Sequence, residues 1–116
     1  MPVLIKSSTD IELMRASGVV VAEVHAALRS AIAPGVTTRE LDEIGHAFLQ
    51  AEGARSAPQA MYKFPAATCI SVSPIIAHGI PSEHVLREGE LIHIDVSAEL
   101  DGYYADTGAS LVVSKN

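Results

Sequence analysis

The dipeptide Asp101-Gly102, set between two alternating runs, constrains this chain more than any other feature of its 116 residues. A two-residue type I′ turn needs positive φ at both central positions, which Asp-Gly supplies. On the incoming side, Ile92, Ile94 and Val96 fall on one face of a strand, and His93, Asp95, Ser97 and Glu99 on the other. The turn then fixes the register: Leu100 opposes Tyr103, Ser97 opposes Asp106 and Asp95 opposes Gly108. Asp95 and Asp106 become diagonal neighbours on one face, roughly 7–8 Å apart at the backbone. Two carboxylates at that separation can lean onto one or two hard cations, whereas a one-residue slip throws them to opposite faces. Aspartates near a hairpin are ordinarily turn formers or solvated strand residues, and Asp101 is a turn former. Asp95 fits that account poorly, because it sits between Ile94 and Val96, where an unpaired carboxylate is costly.

Upstream of the hairpin the pattern is helical. Thr9-Asp10-Ile11-Glu12 has the form of a capping box, followed by Ile11, Met14, Gly18, Val21, Val24 and Leu28 at helical spacing until Pro34-Gly35. A second box, Thr37-Thr38-Arg39-Glu40, opens a shorter helix with Leu41, Ile44, Phe48 and Leu49 expected inward and Gly53 as its cap. Residues 55–65 lose periodicity and are expected to form a loop. Strands are predicted at 68–72, 91–100 and 103–113, with a punctuated loop over 74–90. Two helices on one face of a small antiparallel sheet give an α+β single domain over residues 1–116.

Composition narrows the partners. A net charge of −6 offers no basic stripe for nucleic acid or an anionic membrane. One cysteine excludes an internal disulfide framework and suits a reducing compartment, and no signal peptide or membrane span is visible, so a cytoplasmic location is expected. With 48% hydrophobic but only 4% aromatic residues, the core is expected to be built of Val, Ile, Leu and Ala.

Three segments in order, Cys69-Ile70-Ser71-Val72-Ser73-Pro74-Ile75-Ile76-Ala77-His78-Gly79-Ile80-Pro81, Glu88-Gly89-Glu90-Leu91-Ile92-His93-Ile94-Asp95-Val96 and Asp101-Gly102-Tyr103-Tyr104-Ala105-Asp106-Thr107, closely resemble the methionine aminopeptidases. The likeness extends to residues 5–18, similar to that family's opening helix, and to Pro34–Asp42, similar to its next connector. It covers essentially the whole chain but only about half of the family's catalytic domain, its N-terminal half. The resemblance implies half of a pita-bread fold, a dinuclear metallopeptidase built from two pseudo-twofold-related halves. It further implies divalent ions (Mn, Co, Fe or Zn), peptide N-termini as substrate, and Asp95 and Asp106 as two of five protein ligands. The other three, a histidine and two glutamates, have no matching segment in these residues.

The same resemblance assigns His78 to the scissile amide, a task that suits a group able to donate a hydrogen bond to developing charge. Met61, Phe64 and Cys69 are implied as walls of an apolar hole for the methionine side chain, although Met61-Tyr62-Lys63-Phe64-Pro65 departs from the family's usual tyrosine- and glycine-containing version. Closing the core is an equally good role for Met61 and Phe64. Ser97 and Thr107 each follow an aspartate and are expected to hydrogen-bond the ligand carboxylates. His25, His46 and His84 are expected to be structural or surface residues, and so is His93, for which a coordinating role is the minor alternative. Two function classes remain: a metal-dependent aminopeptidase, or an inactive half-domain whose exposed sheet edge drives homodimerisation or capture of a complementary second half. In such a homodimer a cluster of up to four carboxylates is expected to favour Mn²⁺, Mg²⁺ or Ca²⁺.

Overall fold

The computed structural model describes residues 7–74 and 79–114. It places α1 (Ser8–Ala31), α2 (Thr38–Ala51), β1 (Arg55–Ser56), α3 (Ala57–Tyr62), β2 (Cys69–Val72), β3 (Leu91–Leu100) and β4 (Tyr103–Val112) in that order. All strand pairs are antiparallel: β4 runs along the whole of one edge of β3, and β1 and β2 pair with it at opposite ends. The α+β expectation holds.

The hairpin forms as its sequence requires. Asp101 and Gly102 adopt φ of 52° and 87°, and Leu100↔Tyr103, Ser97↔Asp106 and Asp95↔Gly108 are register pairs. Ile92, Ile94, Val96 and Ala98 are fully buried against α1, whose Val20, Val21, Val24 and Leu28 supply the opposing stripe. His25, buried on α1, donates from Nε2 to the carbonyl of Ile94 at 3.1 Å, tying the helix to the strand that carries Asp95.

Four local expectations are corrected. The α1 capping box lies two residues earlier than predicted: Ser7 Oγ accepts from the Asp10 N–H at 3.1 Å and Asp10 accepts from the Ser7 N–H at 3.0 Å, leaving Thr9 inside the first turn. Ile11 and Met14, placed on the apolar stripe by their helical spacing, are exposed. On α2, Thr37 caps by accepting from the Glu40 N–H and Gly53 follows the helix at φ 71°, but Phe48 is exposed while Leu41 and Leu49 are buried. The predicted loop over 55–65 contains β1 and α3 instead. Its overlooked signal is Ser56-Ala57-Pro58-Gln59: Ser56 Oγ accepts from the Gln59 N–H, and Pro58 stands in the first turn, where its missing N–H costs nothing.

Two anchors hold the β2 end of the molecule. Asp42 on α2 accepts from the backbone N–H of Ala67 and of Thr68 and from Thr68 Oγ1, at 3.3, 2.7 and 2.6 Å. Gly79 donates to Ser71 Oγ at 3.0 Å and its carbonyl accepts from the Ile70 N–H, packing so closely that a Cβ there would collide with the Ile70 carbonyl oxygen. Residues 82–86 then dock on the α1–α2 connector through Arg39 N to Ser82 O and Leu86 N to Val36 O, both 2.8 Å. Among the described residues, no helix is long and apolar enough to cross a membrane.

Candidate metal centre

The sheet has two unlike faces. The α1 side is apolar, while the other carries Asp95, Ser97, Asp106 and His93, placed there by the alternation and register of β3 and β4. β2 runs beside β3 so that Cys69 pairs with Asp95. α3 and the residue after its left-handed cap, Lys63 at φ 53°, bring Pro58, Tyr62 and Phe64 over this face. Together with Cys69, Asp95, Ser97 and Asp106 they line a cleft of about 490 Å³.

The two carboxylates do not behave alike. Burial, together with the hydrogen bond to Asp106 and its negative charge, pushes Asp95 up to about 7. Asp106 is held below the usual range by the hydrogen bond from Asp95, with Ser97 Oγ donating at 2.8 Å, the nearby His93 and the Thr107 backbone N–H adding to the effect. The pair therefore shares one proton near neutrality, as close carboxylates do when no cation separates them. Asp95 Oδ1 is buried with no hydrogen-bond partner among the described residues. A buried carboxylate oxygen left without a donor, beside a second carboxylate, is the donor set that a hard cation satisfies. The residues fit a divalent ion, although among the described residues no three His, Cys, Asp or Glu side chains converge on one point.

Of the residues singled out in the sequence, Asp95, Asp106, Ser97, Phe64 and Cys69 meet at this cleft. Burial, and then the charges of Asp95, Asp106 and Asp42, raise the Cys69 thiol, so it stands as a neutral, soft wall. Met61, 56% exposed, lines an adjoining groove that shares Pro58, Tyr62, Ser97 and Asp106 with this cleft. Thr107 pairs with Val96, so its side chain belongs to the helix-facing side, and its backbone N–H reaches Asp106 in place of its hydroxyl. His78 lies outside the described residues; Gly79, next to it, is pinned to β2 as described above. Tyr62 and Pro58 were missed as cleft residues because α3 was missed.

The model of the metallopeptidase family M24 matches residues 12–116. The chain belongs to metallopeptidase family M24. Within M24 it is similar to the methionine aminopeptidase of Staphylococcus epidermidis, 47% identical over 113 residues that make up 97% of this chain and 45% of that protein. It is also similar to methionine aminopeptidase 2 of Bacillus subtilis, at 42% identity over the same shares. The M24 chain superimposes on the crystal structure of methionine aminopeptidase from Rickettsia prowazekii with a TM-score of 0.93 and 33% identity, covering 98% of this chain and 46% of that one. This is the half pita-bread architecture that the resemblance implied. The chain spans about half the length of the curated relatives it matches.

Proposed function

We propose that this M24 chain carries the aspartate half of a metal-dependent aminopeptidase site that removes methionine from peptide N-termini. The observation that carries the reading is the Asp95–Asp106 pair, with a buried oxygen of Asp95 that has no partner among the described residues and with Asp95 pushed up by burial and by Asp106, at the base of a cleft walled by Phe64, Tyr62 and Cys69. Asp95 and Asp106 are the residues that would hold the metal, and Ser97, donating to Asp106, fixes the orientation of that carboxylate. A divalent ion bound there supplies Lewis-acid activation of water and of the first peptide carbonyl. The apolar walls take the unbranched side chain of the first residue, and His78 is assigned to the scissile amide. Mn, Co, Fe and Zn are the candidate metals.

The same proposal limits the activity of these 116 residues alone. Two of the five ligands implied by the resemblance are matched, and no third acidic, histidine or cysteine side chain converges among the described residues. We therefore assign weak metal binding and slow turnover to this polypeptide by itself, with a complementary half or a second copy completing the site. The test is hydrolysis of Met-Ala-Ser with added Mn²⁺ or Co²⁺, by the chain alone and with the remaining half of a methionine aminopeptidase supplied. Activity only in the supplemented sample, lost in Asp95→Ala, supports the reading. Supplemented turnover unchanged in Asp95→Ala overturns it.

A further inference from the structure

His93 lies in the cross-strand row next to the aspartate pair, with Ser71 of β2 and Ser110 of β4 as its register partners. One end of its ring is held. Nδ1 stands 2.8 Å from Ser110 Oγ, and the ring leans over Gly108, where a Cβ would meet Nε2 at 3.1 Å and Cε1 at 3.3 Å. Gly108 is the register partner of Asp95, and alternation puts it on the same face of β4 as Asp106. The missing side chain at 108 therefore gives the imidazole its room beside both carboxylates.

When the Nδ1–H donates to Ser110 Oγ, Nε2 keeps a lone pair, which can face a cation or accept from a water on it. Side chains directly opposed in an antiparallel pair start roughly 5 Å apart, so Nε2, close to where a side chain at 108 would begin, is about one water away from the Asp95 side chain. Direct ligation by all three groups is not the arrangement here, since no three such side chains converge on one point among the described residues. A bridging water suits the gap. A divalent ion held by two protein carboxylates keeps much of its water shell, and that shell needs acceptors.

We propose that His93 Nε2 accepts a hydrogen bond from the water shell of the cation held by Asp95 and Asp106, oriented for this by Ser110 and given space by Gly108. The proposal rests on the reading of the aspartate pair as a cation site. It adds a positioning residue on the Gly108 side of that site, where the two aspartates leave the ion without a protein contact.

Mn²⁺ binding, followed by loss of the free-ion electron paramagnetic resonance signal, tests the role of His93. Binding by wild type but not by Asp106→Ala establishes the cation site whatever His93 does, and no binding by wild type sinks that reading and this proposal together. His93→Leu is expected to bind about tenfold more weakly or not at all. Gly108→Ala, whose Cβ pushes the ring aside, is expected to weaken binding several-fold in the presence of His93 and to cost nothing further once His93 is Leu. A ring that acted only as a positive charge beside the ion would give the opposite sign, with His93→Leu binding more tightly. Circular dichroism establishes that each variant is folded, and His93→Phe, which keeps a ring without its nitrogens, replaces His93→Leu if that variant is not. Unchanged or tighter Mn²⁺ binding in the folded His93 variant overturns the proposal, and so does a Gly108→Ala loss that is as large without His93 as with it.

Discussion

The β3–β4 hairpin carries Asp95 and Asp106, residues 55–69 carry the facing cleft wall, and the two obtain their structure in different ways. The hairpin is locally determined: Asp101 and Gly102 take up positive φ, and every pair from Leu100↔Tyr103 to Leu91↔Val112 follows from that turn. The other wall is held from outside its own sequence. β2 begins where Asp42, 26 residues away on α2, grips Thr68, and the 79–81 stretch is fixed where Gly79 meets Ser71. Strands of a hairpin tolerate change wherever the turn survives, whereas an externally anchored wall depends on a few contacts.

Glycine substitutions are the sharpest way to break this contrast. Gly79→Ala drives a Cβ into the backbone of Ile70 and Ser71, a collision no rotamer can relieve. It is expected to cost about 3 kcal/mol in urea unfolding, or else to expel the loop. Next in size is Asp42→Ala, which leaves the Thr68 and Ala67 amides without their acceptor and is expected to cost about 2 kcal/mol. That variant is also expected to widen the Cys69 side of the cleft, raising KM for Met-initiated peptides in the completed enzyme more than it lowers kcat. Gly102→Ala has open space around it and suffers only the strain of its φ of 87°, so about 1 kcal/mol is expected. A Gly102 variant worse than the Gly79 variant would reverse the proposed contrast.

The smallest effect is electrostatic and depends on pH. Asp95 has its folded pKa raised to about 7 from 3.8, so without metal the folded state holds a proton that the unfolded chain releases. That contribution to stability is present in full below about pH 4 and is lost as pH rises toward 7. An asparagine side chain in its place has no proton to lose and still donates to Asp106. In EDTA, the melting temperature of Asp95→Asn is therefore expected to exceed wild type by about 3–6 °C at pH 7.5. The difference should close toward pH 4, and a gap that widens on acidification would contradict the assigned sign.

What could be read from the sequence follows the same division. Strand boundaries, register and the shared face of Asp95 and Asp106 were legible because a two-residue turn and period-2 alternation leave no freedom. Cys69 and Phe64 line the cleft with the two aspartates. Thr107 did not bring its hydroxyl there, although the alternation that placed Asp106 already put its neighbour on the opposite face. α3 was hidden by its brevity: six residues show no helical periodicity, and only Ser56, Pro58 and Gln59 mark it. α3 sets Met61 in a groove that adjoins the cleft and shares Ser97 and Asp106 with it. The Asp42 and Gly79 contacts bridge segments whose proximity no local pattern records.

The central claim is that Asp95 and Asp106 form a cation site, and Mn²⁺ titration by isothermal calorimetry at pH 6, where Asp95 still holds its proton, tests it most directly. Wild type is expected to bind weakly and to release protons, because binding displaces the one shared by the pair. Asp106→Ala is expected to bind nothing while remaining folded by circular dichroism. Undiminished Mn²⁺ binding by folded Asp106→Ala, or no binding and no proton release by wild type at millimolar metal, would contradict the account.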